Sequence, residues 1–151
     1  MISRFEQFSS SVACIYHCIQ KIEREEMAKY GLKGPHAQCL IAMRYNPDGI
    51  TASGLCAICD KDKAAISRTV AELEQEGLLE RVMRGSVRYR APLKLTARGQ
   101  DAAARVEAQV KRAVEKAGAG MSDAHRVVFY QVLGLIAGNL QAICEEGLEN
   151  G

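Results

Sequence analysis

Tryptophan is absent, and aromatic residues of all kinds make up only 5% of the chain, which argues against a sugar-binding cleft or a platform for stacking bases. No run of 18 apolar residues occurs, so no membrane span is expected. The first residues, MISRFEQFSSSVACIYHC, lack the apolar core of a signal peptide. Charge of one sign is also scarce. The net charge is +2, so any basic surface must be local. The six cysteines come without a secretion signal, which suggests reduced thiols and a soluble, cytoplasmic protein rather than a disulfide framework.

What remains is a chain of 151 residues, 48% hydrophobic and 25% charged, enough for one domain with a true core and too apolar to be disordered. Phe5, Phe8, Val12, Ile15, Ile19 and Ile22 recur at alternating spacings of three and four. That pattern predicts a long amphipathic helix with a seam suited to another helix, ending near Tyr30-Gly31. Pro35 opens the next helix, which carries Cys39, Leu40 and Met43, and Asn46-Pro47-Asp48-Gly49 is a turn.

Two short helices follow, capped by Thr51 and Asp62. The second turns Ile66, Val70 and Leu73 inward and stops at Gly77. A hairpin comes next, with Leu78 to Arg84, a turn at Gly85-Ser86, and Val87 to Thr96. Val87, Tyr89, Ala91, Leu93 and Leu95 share one side of it; Arg88, Arg90 and Lys94 share the other. After Gly99 the chain is helical through Val106 and Val110, breaks at Gly118-Ala119-Gly120, and resumes in a last helix capped by Ser122. That helix carries Phe129, Leu133, Ile136, Leu140 and Ile143.

The stretch DKAAISRTVAELEQEGLL sorts its charges against helix stability. Lys63 and Arg68 lie early and Glu72, Glu74 and Glu76 late, whereas the helix dipole favours the opposite order. Lys63, Ala64, Ser67, Arg68 and Ala71 share the outward face. Two bases and a hydroxyl among small residues suit close approach to a polyanion, and the major groove of DNA is wide enough to admit a helix. A solvated helix face is the plain alternative. The basic hairpin that follows, with Arg84, Arg88 and Arg90, favours the DNA reading, because helix-turn-helix plus hairpin is a winged arrangement.

In order and spacing these segments resemble the MarR family of multiple antibiotic resistance regulators. GLKGPHAQCLIAM is similar to the family's entry into its second helix, and ITASGLCAICDKDKAAISRTVAELEQEGLLER to its helix-turn-helix. LKLTARG resembles the end of the wing, and MSDAHRVVFYQVL the final helix. The resemblance implies a mainly α fold with a small β-hairpin wing, and a homodimer held by residues 1–30 and 98–148 around a DNA-binding lobe at 35–96. It further implies a repressor on a pseudo-palindromic operator in double-stranded DNA, released by a small aromatic or apolar effector or by thiol oxidation. Lys63, Ser67 and Arg68 then fall on the recognition helix and Arg84, Arg88 and Arg90 on the wing, with Thr51 and Ser53 offered to phosphate. Val87 and Tyr89 stand where the family often has an Asp-x-Arg pair, and Ala64 and Ala65 where polar residues are common.

Cys56-Ala57-Ile58-Cys59 is a C-x-x-C, but it lies inside a short helix without a βαβ setting, and no second pair completes a zinc site. Cys39, Cys56, Cys59 and Cys144 are expected to be buried, small hydrophobes. Cys14 and Cys18, beside His17, lie at the edge of the first helix's seam; packing is the expectation there, and redox sensing the sharper alternative. His36 and His125 are expected to cap helices or lie at the surface. Asp60-Lys61-Asp62 begins like a calcium loop, but Ala64, Ala65 and Ala71 take positions that need a ligand, a glycine and a glutamate. No phosphate loop, nucleophile elbow or catalytic carboxylate pair appears, so no catalysis, cofactor or metal is expected. Two alternatives stay open: a thiol- or metal-dependent sensor built on Cys14/Cys18 or Cys56/Cys59, and a protein-interaction module that has lost DNA binding.

Overall fold

A computed structural model describes residues 3–83, 85 and 91–148. In chain order its elements are α1 (Arg4–Ala28), α2 (Gly34–Arg44), α3 (Ala52–Cys59), α4 (Lys63–Gln75), β1 (Leu79–Arg81), β2 (Leu93–Leu95), α5 (Ala97–Ala117) and α6 (Asp123–Glu146). They divide into two compact units, Met1–Arg112 and Ala113–Gly151.

The helices begin where side chains can take the first free amides. Thr51, Asp62 and Ser122 accept from Gly54, Ala65 and His125 as expected. Ser3 and Glu6 form a reciprocal capping box at the start of α1, which the sequence reading missed. At the far end of α4, Gly77 has φ +72°; its N–H bonds the carbonyl of Glu74, and the N–H of Leu78 bonds that of Leu73. This pairing satisfies two orphan carbonyls and needs a left-handed residue, hence glycine.

The core of the first unit is formed by Met27 of α1, Leu40 and Met43 of α2, Leu55 of α3, and Ile66, Val70 and Leu73 of α4. Leu78, Leu79 and Leu93 close it from the hairpin, and Ala102, Ala103 and Val106 from α5. The hairpin is antiparallel, with Leu79 opposite Leu95 and Arg81 opposite Leu93, and the Val82 N–H donates to the carbonyl of Pro92 at 2.7 Å. It differs from expectation in two ways. Leu78 belongs to the helix cap rather than the strand, and Ile50 bridges Leu93 through two backbone hydrogen bonds of 3.0 and 2.8 Å. The loop before α3 thus serves as a third, one-residue strand, which anchors the base of the wing to the helix-turn-helix.

α5 starts earlier than the glycine rule suggested, with Gly99 inside its first turn. Thr96 makes this possible: its hydroxyl donates to the Gly77 carbonyl at 2.6 Å and accepts from the Gly99 N–H at 3.1 Å. A β-carbon on Gly99 would sit 1.8 Å from the carbonyl oxygen of Leu78. The LTARG sequence therefore encodes a close crossing of α5 over the α4–β1 junction. Arg98 adds to it, donating to the Glu76 carbonyl at 2.9 Å while stacking on Tyr30.

α1 and α6 keep apolar stripes on their surfaces. Phe5, Phe8, Val12 and Ile15 are exposed on α1, and Phe129, Leu133, Leu140 and Ile143 on α6. By length and mean hydropathy, 1.6 over its most apolar window, α6 could cross a membrane, although no uninterrupted apolar run exists. Gln131, Asn139 and Gln141 interrupt it.

Candidate nucleic-acid interface

α3 and α4 meet through a three-residue turn in which Asp60 takes the left-handed conformation, φ 50° and ψ 50°. The turn reverses the chain tightly enough to bring the start of α3 beside the outer face of α4. Gly54 lets the first turn of α3 close on the loop before it, since a β-carbon there would lie 2.8 Å from the Ile50 side chain. With Ile66, Val70 and Leu73 buried, α4 turns Lys63, Ala64, Ser67, Arg68 and Ala71 to solvent.

A groove of about 440 Å³ lies between the two helices, lined by Thr51, Ala52, Ser53, Lys63, Ser67, Val70 and Arg81. Four expected contact residues, Thr51, Ser53, Lys63 and Ser67, thus converge. Arg68, exposed on the same helix, borders a different cleft with Lys33, Lys61 and Gln38. Arg84, Arg88 and Arg90 lie outside the described residues. The sequence reading missed Arg81: its place in the strand was legible, but only the pairing across the hairpin aims it at α3 and α4. It also missed Lys33 and Lys61, which come from separate elements.

The late acids of α4 are tethered rather than left to face one another. Glu72 meets Nε2 of His36 on α2 at 2.5 Å, and Glu74 meets Nε of Arg81 at 3.3 Å. Two of the acids at the helix end are thus held by partners from outside the helix, while Lys63 and Arg68 stay on the open face. His36 is buried rather than at the surface; its Nδ1 accepts the Lys33 N–H at 3.1 Å, so it caps α2 as expected while Nε2 reaches α4.

The cysteines divide differently from the expectation of burial. Cys14, Cys18 and Cys144 are exposed, as is His17. Cys39 is buried, and Cys56 and Cys59 are half-buried. Sγ of Cys39 and Sγ of Cys59 lie 3.8 Å apart. The Cys59 thiol is lowered to about 7, chiefly by its hydrogen bond with Cys39 and also by Lys61, whereas Cys39 is pushed up by that same bond and by burial. Among the described residues no cluster of three His, Cys, Asp or Glu could hold a metal.

Residues 30–88 match the sequence model of the MarR family. A Thauera aromatica protein named for transcriptional regulation of the hcr operon is 36% identical over 81 residues, 54% of this chain and 49% of the relative. The chain thus aligns with about half the length of that relative. A MarR-family transcription regulator superposes with a TM-score of 0.79 at 19% identity, covering 95% of each chain. A MarR-family regulator from Listeria monocytogenes, crystallised with a 26mer DNA, superposes with a TM-score of 0.74 at 19% identity, covering 94% of this chain and 96% of its own. At such identities the superpositions establish the fold: a mainly helical winged helix-turn-helix with a small antiparallel hairpin.

Proposed function

We propose that this chain, whose residues 30–88 match the MarR family model, is a MarR-family DNA-binding transcriptional regulator. The observation that carries the reading is the groove at which Thr51, Ser53, Lys63 and Ser67 meet beside a small-residue helix face. Hydroxyls and a lysine at helix starts suit phosphate oxygens, while Ala64 and Ala71 let α4 approach the floor of the major groove. Arg68 is the base-reading residue, and Lys63, Thr51 and Ser53 hold the backbone. The sequence assigns Arg84, Arg88 and Arg90, which lie outside the described residues, to contacts with the neighbouring minor groove.

The chain acts as a homodimeric repressor, with residues 1–30 and 98–148 pairing and 35–96 facing DNA. Support for pairing comes from the exposed stripes on α1 and α6, too apolar to remain in water at working concentrations. Two recognition helices then meet half-sites roughly 34 Å apart on a pseudo-palindromic operator. A small aromatic or apolar effector lowers affinity by favouring a dimer with another spacing. A cleft of about 500 Å³ bordered by Tyr16, Ile41, Tyr45 and Ile58 offers it suitable chemistry. The protein acts by binding and carries out no catalysis.

Fluorescence anisotropy on DNA selected from a genomic or random pool, measured against salt, tests the reading. Sequence-dependent binding with a steep negative salt slope is expected. A pool that enriches no sequence would overturn the regulator and leave a protein-interaction module.

A further inference from the structure

Cys39 lies in the middle of α2 and Cys59 is the last residue of α3, yet their sulfur atoms are in van der Waals contact at 3.8 Å. Twenty residues separate them, so the contact is a product of packing and not of chain proximity. Both line a cleft of about 460 Å³ that is open to solvent and also bordered by Lys61 and Arg68. Cys39 is 1% exposed and cannot itself meet a solute, whereas Cys59 is half-buried at the cleft wall. One sulfur is thus accessible and the other waits directly behind it, the arrangement of an attacking and a resolving thiol.

We propose that Cys39 and Cys59 form an oxidisable dithiol, which a hydroperoxide converts into a disulfide tying α2 to the end of α3. The Cys59 thiolate attacks the outer peroxide oxygen, the O–O bond breaks, and the leaving alkoxide takes a proton to become an alcohol. Cys59 is then a sulfenic acid. The Cys39 sulfur attacks the sulfenyl sulfur; the S–S bond forms, the S–O bond breaks, and hydroxide leaves as water with the Cys39 proton. Two electrons pass from the thiols to the peroxide. Lys61 stabilises the Cys59 thiolate, and Cys56, three residues back on the same helix, is the competing partner.

Closing the sulfur atoms from 3.8 Å to a bonded distance of about 2.05 Å draws the end of α3 toward α2. Asp60, Lys61 and Asp62 follow directly, and Asp62 caps α4. If the chain is the DNA-binding regulator proposed above, on which this consequence rests, oxidation displaces Lys63, Ser67 and Arg68 together and weakens operator binding.

The test uses the full chain with Cys14→Ser, Cys18→Ser and Cys144→Ser, treated with cumene hydroperoxide. Intact mass should show the loss of two hydrogens, and non-reducing peptide mapping should join Cys39 to Cys59. Cys56→Ser should leave that link unchanged. Cys39→Ser should stop at a dimedone-reactive sulfenic acid on Cys59, and the half-buried Cys59→Ser should prevent the link in a folded protein. A Cys56–Cys59 link, or unreacted thiols, would overturn the dithiol. On selected DNA, oxidation should weaken binding by about tenfold, within the usual range for coupled sites, with recovery on reduction. Unchanged binding by the disulfide form would sink the switch. Should the reduced protein bind no DNA while the Cys39–Cys59 link forms, the regulator reading fails and the dithiol stands.

Discussion

Nε2 of His36 and Oε2 of Glu72 lie 2.5 Å apart, joining the first turn of α2 to the second half of α4. This pair, with Glu74 and Arg81, accounts for the reversed charge order of α4. The dipole would prefer bases at the helix end; here Glu72 is hydrogen-bonded by His36 of α2 and Glu74 is paired with Arg81 of β1, while Lys63 and Arg68 lie on the outer face. Glu72→Ala should cost about 1 kcal/mol in urea unfolding, a modest value because the carboxylate is half exposed. His36→Ala should cost more, since it also removes a cap and a buried ring. Equal midpoints for both variants and the parent would show the pair to be incidental.

Gly99→Ala tests the crossing of α5 over the hairpin base. The added methyl would collide with the Leu78 carbonyl, which also accepts the Thr96 N–H, so the junction cannot yield without losing that bond. We expect a loss of roughly 3 kcal/mol or more by thermal or chemical denaturation. Retention of the parent melting temperature would mean the junction is looser than described.

Glu23 supplies a pH signature. Burial raises its carboxyl above the ordinary value, so the folded state binds its proton more tightly than the unfolded state does. Its stabilising contribution is therefore complete at acid pH, below the unfolded value, and is lost as pH rises through the higher folded value. Glu23→Gln should raise the melting temperature at neutral pH, with the gain shrinking toward zero on acidification. A gain independent of pH would point to packing instead.

On operator DNA, Arg68→Ala should cost roughly 1–3 kcal/mol and relax preference at one base position. Lys63→Ala should weaken all sequences alike and reduce the salt slope by about one. Anisotropy titrations at several salt concentrations separate the two roles, and interchange of the two patterns would reverse the assignments.

The apolar stripes predict association. Ile15→Glu on α1 or Leu133→Glu on α6 should convert a dimer to monomer in light scattering, with far-UV dichroism preserved because both side chains are exposed within the chain. A monomeric parent protein would contradict the homodimer.

Much of the fold was legible before any coordinates. Thr51, Asp62, Ser122, Pro35 and Gly77 mark boundaries, because capping and left-handed turns are local interactions completed within a few residues. The inward positions Ile66, Val70 and Leu73 follow from helical period alone. From the candidate site, Lys63, Ser67 and Arg68 could be assigned to one helix face, and Thr51 and Ser53 to the start of the preceding helix.

What only the tertiary structure decided are the relations between elements: Ile50 bridging Leu93, Arg81 joining the α3–α4 groove, His36 buried against Glu72, and Cys39 touching Cys59. None leaves a periodic trace in the sequence. Each depends on the distance between segments whose placement is set by how Leu40, Leu55, Leu73 and Leu93 fill one core. A single sequence records which face of a helix is apolar, but not which residue of another element will lie across from it.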